Sequence, residues 1–276
     1  MQIDLSPRRE IGVFDSGVGG FTVLRELRAL LPTARLRYLA DTAYAPYGSR
    51  TPEEIRARSF AITEHLIAQA AQLIVIACNT ATAHAIDALR QHWPDVPFVG
   101  TEPGIKPAVA ASANGRIGLL ATPATAGSAR LHALIERHAA GRAVTVQGCA
   151  GVVDHIEAGD LDSAELQALV ARHCAPLVQA GVDTALLGCT HYPLIEPLWR
   201  QALGPAVTLL RIETAVARRA ADLWPPAPAD AAHLAVETSG DPHALQAWMA
   251  EVLGWTGAEV QAWRPENANG PRMQAV

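Results

Sequence analysis

The chain has 276 residues, half of them hydrophobic and 18% charged, which gives ample material for buried cores and excludes a disordered chain. A formal net charge of −5 supplies no basic footprint for a phosphate backbone, so direct contact with nucleic acid is not expected. No apolar run approaches the ~20 residues that span a bilayer, and the first residues lack the apolar stretch of a secretion signal, so no membrane partner is expected and the expected location is the cytoplasm.

Short runs rich in Val, Ile and Leu alternate along the chain with longer helical patterns, the signature of parallel strands buried on both faces and joined by crossover helices. A strand over 11–14 runs into Asp15-Ser16-Gly17-Val18-Gly19-Gly20 and a helix over 22–31. The strand 36–40 is followed by Pro46-Tyr47-Gly48-Ser49 and a helix over 52–71, whose start is marked by Thr51 as N-cap, Pro52 at the first helical position and acids at Glu53 and Glu54. The strand 73–77 ends at Cys78-Asn79-Thr80 and feeds a helix over 83–92, with another strand at 98–100. Strands at 117–121, 144–148, 185–188 and 207–210 follow, with helices over 125–139, 163–180 and 214–223 between and after them. The strand 185–188 ends at Cys189-Thr190-His191. A Pro/Ala-rich loop over 224–232, a helix over 242–253 and a polar tail from 264, expected to be poorly ordered, complete the chain.

The pattern repeats. Ile11-Gly12-Val13-Phe14 is echoed by Ile117-Gly118-Leu119-Leu120, and the run ending in Cys78-Asn79-Thr80 by the run ending in Cys189-Thr190-His191, at similar offsets from the first strand of each half. The expected fold is therefore α/β, with two similar domains, each a mainly parallel sheet flanked by helices. They are related by a pseudo-twofold axis, with the active site in the cleft between them. Residues 1–97 and 208–276 are expected to form a discontinuous first domain and 98–207 the second.

Each cysteine then lies just past the carboxyl end of a strand, where open α/β sheets bind ligands. A lone cysteine in that place reads as an inert buried thiol. Two at equivalent positions of a repeat, each followed by polar residues, flank one cleft from opposite sides. Inverting a Cα centre needs a proton removed from one face and another delivered to the opposite face, and thiols with an ordinary pKa of about 8.5 suit both tasks. Asp15 and His191 are natural tuners of the two sulfurs. Ser16, Tyr47, Gly48, Asn79, Thr80 and Thr190 offer hydrogen bonds to an ammonium and carboxylates. The loop 15–20 also raises the question of a phosphate cradle, but it lacks both GxGxxG spacing and a GK[ST] ending. Of 22 Lys+Arg only Lys106 is lysine, which leaves pyridoxal phosphate a single candidate anchor. Cys149 and Cys174 read as core thiols and form no CxxC pair for a metal.

Taken together, Ile-Gly-Val-Phe-Asp-Ser-Gly-Val-Gly-Gly, Tyr-Leu-Ala-Asp-Thr-Ala-Tyr-Ala-Pro-Tyr-Gly-Ser, Ala-Cys-Asn-Thr-Ala, Gly-Thr-Glu-Pro-Gly-Ile-Lys-Pro-Ala, Leu-Gly-Cys-Thr-His-Tyr-Pro-Leu and Thr-Ser-Gly-Asp-Pro resemble the bacterial glutamate racemase family, in order, over nearly the whole chain from Ile11 to Leu253. The resemblance implies interconversion of L- and D-glutamate without cofactor or metal, supplying D-glutamate for peptidoglycan. It implies that Cys78 acts on the proton of the D-enantiomer and Cys189 on that of the L-enantiomer. Substrate contacts are implied for Asp15, Ser16, Tyr47, Gly48, Asn79, Thr80, Thr190 and His191. An assisting glutamate is implied near the second cysteine, and Glu157 fits that stretch, although Cys149-Ala150-Gly151 stands where the family has Cys-Pro. Leu210-Arg211-Ile212-Glu213 replaces a segment containing Asp-Ser. Aspartate, a hydantoin or another dicarboxylate is the rival substrate on such a scaffold, and a binding protein acting on a DNA topoisomerase the rival class. Four tryptophans between Trp199 and Trp255 are expected to pack the last elements and leave room for a homodimer.

Overall fold

The computed structural model describes residues 9–224 and 232–265. Its strands are β1 (Glu10–Asp15), β2 (Arg35–Ala40), β3 (Ala71–Ile76), β4 (Phe98–Gly100), β5 (Arg116–Ala121), β6 (Ala143–Gly148), β7 (Thr184–Gly188), β8 (Thr208–Leu210), β9 (His233–Thr238) and β10 (Val260–Ala262). They form a six-stranded sheet of order β10-β9-β2-β1-β3-β4 and a four-stranded sheet of order β6-β5-β7-β8, and every pairing is parallel. The repeat read from the sequence is thus a repeat of topology: β2-β1-β3-β4 and β6-β5-β7-β8 are the same four-strand arrangement, and β9 and β10 extend the first beyond β2. Helices cover both faces, so the central strands β1 and β7 are buried along their whole length, as their unbroken apolar runs require. Of the two acids in β1, Glu10 is held by Arg35 and Arg37 at the start of the neighbouring strand, and Asp15 closes the strand at the cleft.

Two strands lie across the boundaries expected at 97/98 and 207/208. Phe98–Gly100 hydrogen-bonds to β3 in the first sheet, and Thr208–Leu210 to β7 in the second. In both halves the crossover helix after the cysteine strand returns the chain beside that strand before it leaves, so each passage between sheets comes one strand later than the apolar pattern suggests. The helix after Cys78 begins at Asn79, four residues ahead of expectation. The helix expected over 125–139 is divided into Pro123–Ala126 and Ala129–His138, with Ser128 capping the second through the Leu131 amide. Short helices at Ile105–Ala111, Val152–Glu157 and Glu196–Leu203 were not expected from the pattern. Most of the Pro/Ala-rich loop, at 225–231, and the tail from 266 lie outside the described residues. Among the described residues no helix is long and apolar enough to cross a membrane.

Candidate active site in the cleft

The carboxyl ends of β1, β3 and β7 converge on one small cavity. Its lining includes Ser16, Pro46, Tyr47, Gly48, Cys78, Asn79, Thr80, Cys189, Thr190 and His191, together with Thr122 and Val153, which the sequence did not single out. It has room for about one water molecule. Thr122 follows β5 as Ser16 follows β1, and the repeat could have flagged it. Val153 carries no chemical signal and is set there by the short helix Val152–Glu157.

Asp15 ends β1 and is fully buried. It accepts from the backbone amides of Ser16 (2.6 Å) and Gly20 (2.5 Å), from Ser16 Oγ (3.2 Å) and, across the cleft, from Thr190 Oγ1 (3.3 Å). Burial nonetheless raises its pKa, with the His191 charge and the Cys78 hydrogen bond pulling the other way. Cys78 sits at the N-cap of the helix Asn79–His92, its Sγ accepting from the Ala81 amide (3.5 Å) and lying 3.7 Å from Ser16 Oγ. A helix N-terminus favours a thiolate. Here burial, and after it the charge of Asp15, dominate and push the thiol well above its usual range.

The second sulfur is differently placed. Cys189 Sγ lies 3.7 Å from His191 Nδ1, and His191 Nε2 lies 2.5 Å from Glu157 Oε1. Burial alone would lower the pKa of this histidine, but the hydrogen bonds to Cys189 and Glu157 and the Glu157 charge outweigh it and hold the ring well above its ordinary value. Cys189 and Glu157 thus favour the charged form of the ring, each from one of its two nitrogens. The Gly19 amide donates toward Nε2 (3.2 Å), so this nitrogen stands between that amide and the Glu157 carboxylate. Glu157 also accepts from the Val18 amide (2.9 Å); like Asp15 it stands behind the cavity lining, where it bridges the loop after β1 and His191. Gly17 and Gly19 make this approach feasible: a Cβ at Gly17 would run into the Glu157 carboxylate and one at Gly19 into the His191 ring.

The remaining expected residues divide by geometry. Thr80 Oγ1 bonds across the cleft to Thr122 Oγ1 (2.9 Å) and Thr125 Oγ1 (3.2 Å). Asn79 donates to the Thr101 carbonyl (3.0 Å), leaving its buried Oδ1 unpartnered at the cavity. Tyr47 lines the cavity, and its hydroxyl donates to Asp41 Oδ2 (2.5 Å), a residue outside the lining. Cys149 and Cys174 are buried outside the cavity lining, and burial raises Cys174 to about 12 and Cys149 further. Among the described residues no group of three or more His, Cys, Asp or Glu is arranged to hold a metal ion.

Two parallel sheets of matching order, with two cysteines at matching strand ends, define a doubly built α/β enzyme whose pocket lies between its halves. The chain belongs to the Asp/Glu/Hydantoin racemase family, whose profile matches residues 22–220, and it is an isomerase of the racemase kind. A glutamate racemase of Roseiflexus sp. (strain RS-1) is 51% identical over 215 residues, 78% of this chain and 79% of that protein. The crystal structure of glutamate racemase isoform RacE1 from Bacillus anthracis superposes with a TM-score of 0.84 at 28% identity, covering 94% of this chain and 97% of that one. The Escherichia coli glutamate racemase, solved in complex with L-glutamate and the activator UDP-MurNAc-ala, gives a TM-score of 0.79 at 34% identity, covering 93% and 98%.

Proposed function

We propose that this racemase interconverts L- and D-glutamate by proton transfer between two cysteines, without a cofactor, supplying D-glutamate for peptidoglycan. The observation that carries the reading is that Cys78 and Cys189, at equivalent ends of β3 and β7, line one cavity with a carboxyl beside the first and an imidazole beside the second. The thiolate on one side removes the Cα proton and becomes a thiol, leaving a carbanion whose charge spreads into the adjacent carboxylate. The thiol on the other side gives its proton to the opposite face of Cα and becomes the thiolate. No proton, electron or atom is left over. Cys78 takes the proton of D-glutamate and Cys189 that of L-glutamate, with Asp15 serving the first sulfur and His191, oriented by Glu157, the second. Ser16, Tyr47, Gly48, Asn79, Thr80, Thr190 and His191 form the wall that receives the ammonium and carboxylates. Glutamate is preferred to aspartate because relatives 51%, 50% and 49% identical to this chain, and the E. coli structure with L-glutamate, carry that substrate in their names.

The test is turnover of L-glutamate in heavy water without added pyridoxal phosphate. D-glutamate carrying deuterium at Cα is expected, and both Cys78→Ala and Cys189→Ala should abolish racemisation. Full activity in either variant would sink the two-thiol mechanism. Turnover of aspartate but not glutamate would reassign the substrate, and glutamate binding without turnover of either would point to a binding role.

A further inference from the structure

Tyr47 is fixed from behind. Asp41, the residue after β2, is fully buried and accepts three hydrogen bonds: from Tyr47 Oη (2.5 Å) and from Arg58 Nε (2.9 Å) and Nη2 (2.7 Å). The Arg58 contact is the two-pronged guanidinium–carboxylate geometry, in which direction as well as charge is specified. Arg58 projects from the helix Pro52–Ala68, whose start is locked by the reciprocal bonds of Thr51 and Glu54. Its guanidinium lies 3.8 Å from the centroid of the Tyr44 ring and 5.2 Å from that of Trp263, just after β10. The Asp41 amide donates to the Asp15 carbonyl (3.0 Å), so the same residue is tied to the strand end that carries the catalytic loop. Neither Asp41 nor Arg58 reaches the cavity, yet the turn between them, Pro46-Tyr47-Gly48, forms one of its walls and abuts Thr122 of the other half.

We propose that Asp41 and Arg58 are positioning residues: their ion pair holds Tyr47 by its hydroxyl, and with it the Pro46-Tyr47-Gly48 wall, in the place that receives glutamate. The inference rests on the function proposed above. It separates Tyr47 from the acid–base chemistry. The hydroxyl is spent on Asp41, and burial together with that carboxylate keeps it protonated. What Tyr47 offers the substrate is its ring and the backbone of its turn. Substrate affinity then depends on a buried pair outside the cavity, while proton transfer between the two sulfurs does not.

The experiment measures kcat and KM for both enantiomers, and direct D-glutamate binding by calorimetry, in the full chain and in Tyr47→Phe, Arg58→Gln and the double variant. One hydrogen bond to a charged group is worth roughly 10–100-fold, so each single variant should raise KM and the dissociation constant by about tenfold or more. kcat should stay within about threefold, because no transition-state contact is removed. The double variant should be no worse than the weaker single, since both act through one device. Arg58→Lys should recover part of the affinity. A purely structural role would lower the fraction of active protein and leave KM alone. KM within about twofold of the parent in Tyr47→Phe, which keeps the ring volume even if Arg58→Gln does not fold, would overturn the proposal. A parent enzyme that fails to racemise glutamate would instead overturn the function on which it rests.

Discussion

Replacing Glu157 by glutamine removes a carboxylate 2.5 Å from the buried His191 ring while keeping the shape of the side chain. An opposite charge at such range shifts a pKa by about 1–3 units, and each unit corresponds to about 1.4 kcal/mol. The Glu157→Gln variant should therefore lower the His191 midpoint by about 1–3 units, a loss of about 1.4–4 kcal/mol in the preference for the imidazolium. The sign for stability follows from the raised native value. A histidine whose folded pKa exceeds its unfolded value of about 6.5 contributes stability that is complete below that value and is lost as pH rises through the folded pKa. The variant should thus lose the full increment at and below about pH 6.5, and the difference from the parent should vanish as pH rises through the parent's folded pKa. Imidazole titration by NMR on histidine-labelled protein reads the shift, with His191→Asn assigning one resonance among ten histidines. An unchanged His191 midpoint in the variant would refute the reasoning, because it would mean that the ring draws its charge stabilisation from elsewhere.

Asp15→Asn removes the charge that, after burial, does most to raise Cys78, so alkylation of Cys78 by iodoacetamide should turn on at lower pH than in the parent. Peptide mapping by mass spectrometry resolves Cys78 from the other three cysteines, and an inflection that stays put or moves to higher pH would contradict the assigned cause. Gly19→Ala places a methyl inside the His191 ring and should prevent the two halves from closing. Racemisation is expected to fall by about 100-fold or more, as for misplacement by about an ångström, with a melting temperature near that of the parent. Near-normal turnover would show that the catalytic state is more open than the structure described above.

The sequence was most legible where one periodic signal governed one element. The strands that lead into Asp15, Cys78 and Cys189 are dominated by apolar residues, and their ends put the cleft loops in place from the sequence alone. β9 and β10 escaped the same reading. His233–Thr238 carries Glu237, which is buried only because Arg37 and His65 pair with it, and Val260–Ala262 is a three-residue edge strand with no period to detect. The helix Val152–Glu157 is too short for a helical stripe, which is why Glu157 could be suggested only by likeness to a family, and its contact with His191 emerged only from the fold. The Asp41–Arg58 pair has no motif at all. Its members are 17 residues apart on different elements, and a charged pair spaced that way looks like solvated surface until the fold brings it indoors.

The two halves repeat in strand order but not in their chemistry: Asp15 at the end of β1 answers to Ala121 at the end of β5, and Thr80 after the first cysteine to His191 after the second. Mirror-image substrates have equal free energies in achiral water, so for the proposed reaction the ratio of kcat to KM must be the same in both directions whatever the protein does. A lopsided site can only redistribute that fixed ratio. It sets how tightly each hand is held and how fast each leaves, which lets the two directions saturate at different concentrations although the equilibrium itself favours neither.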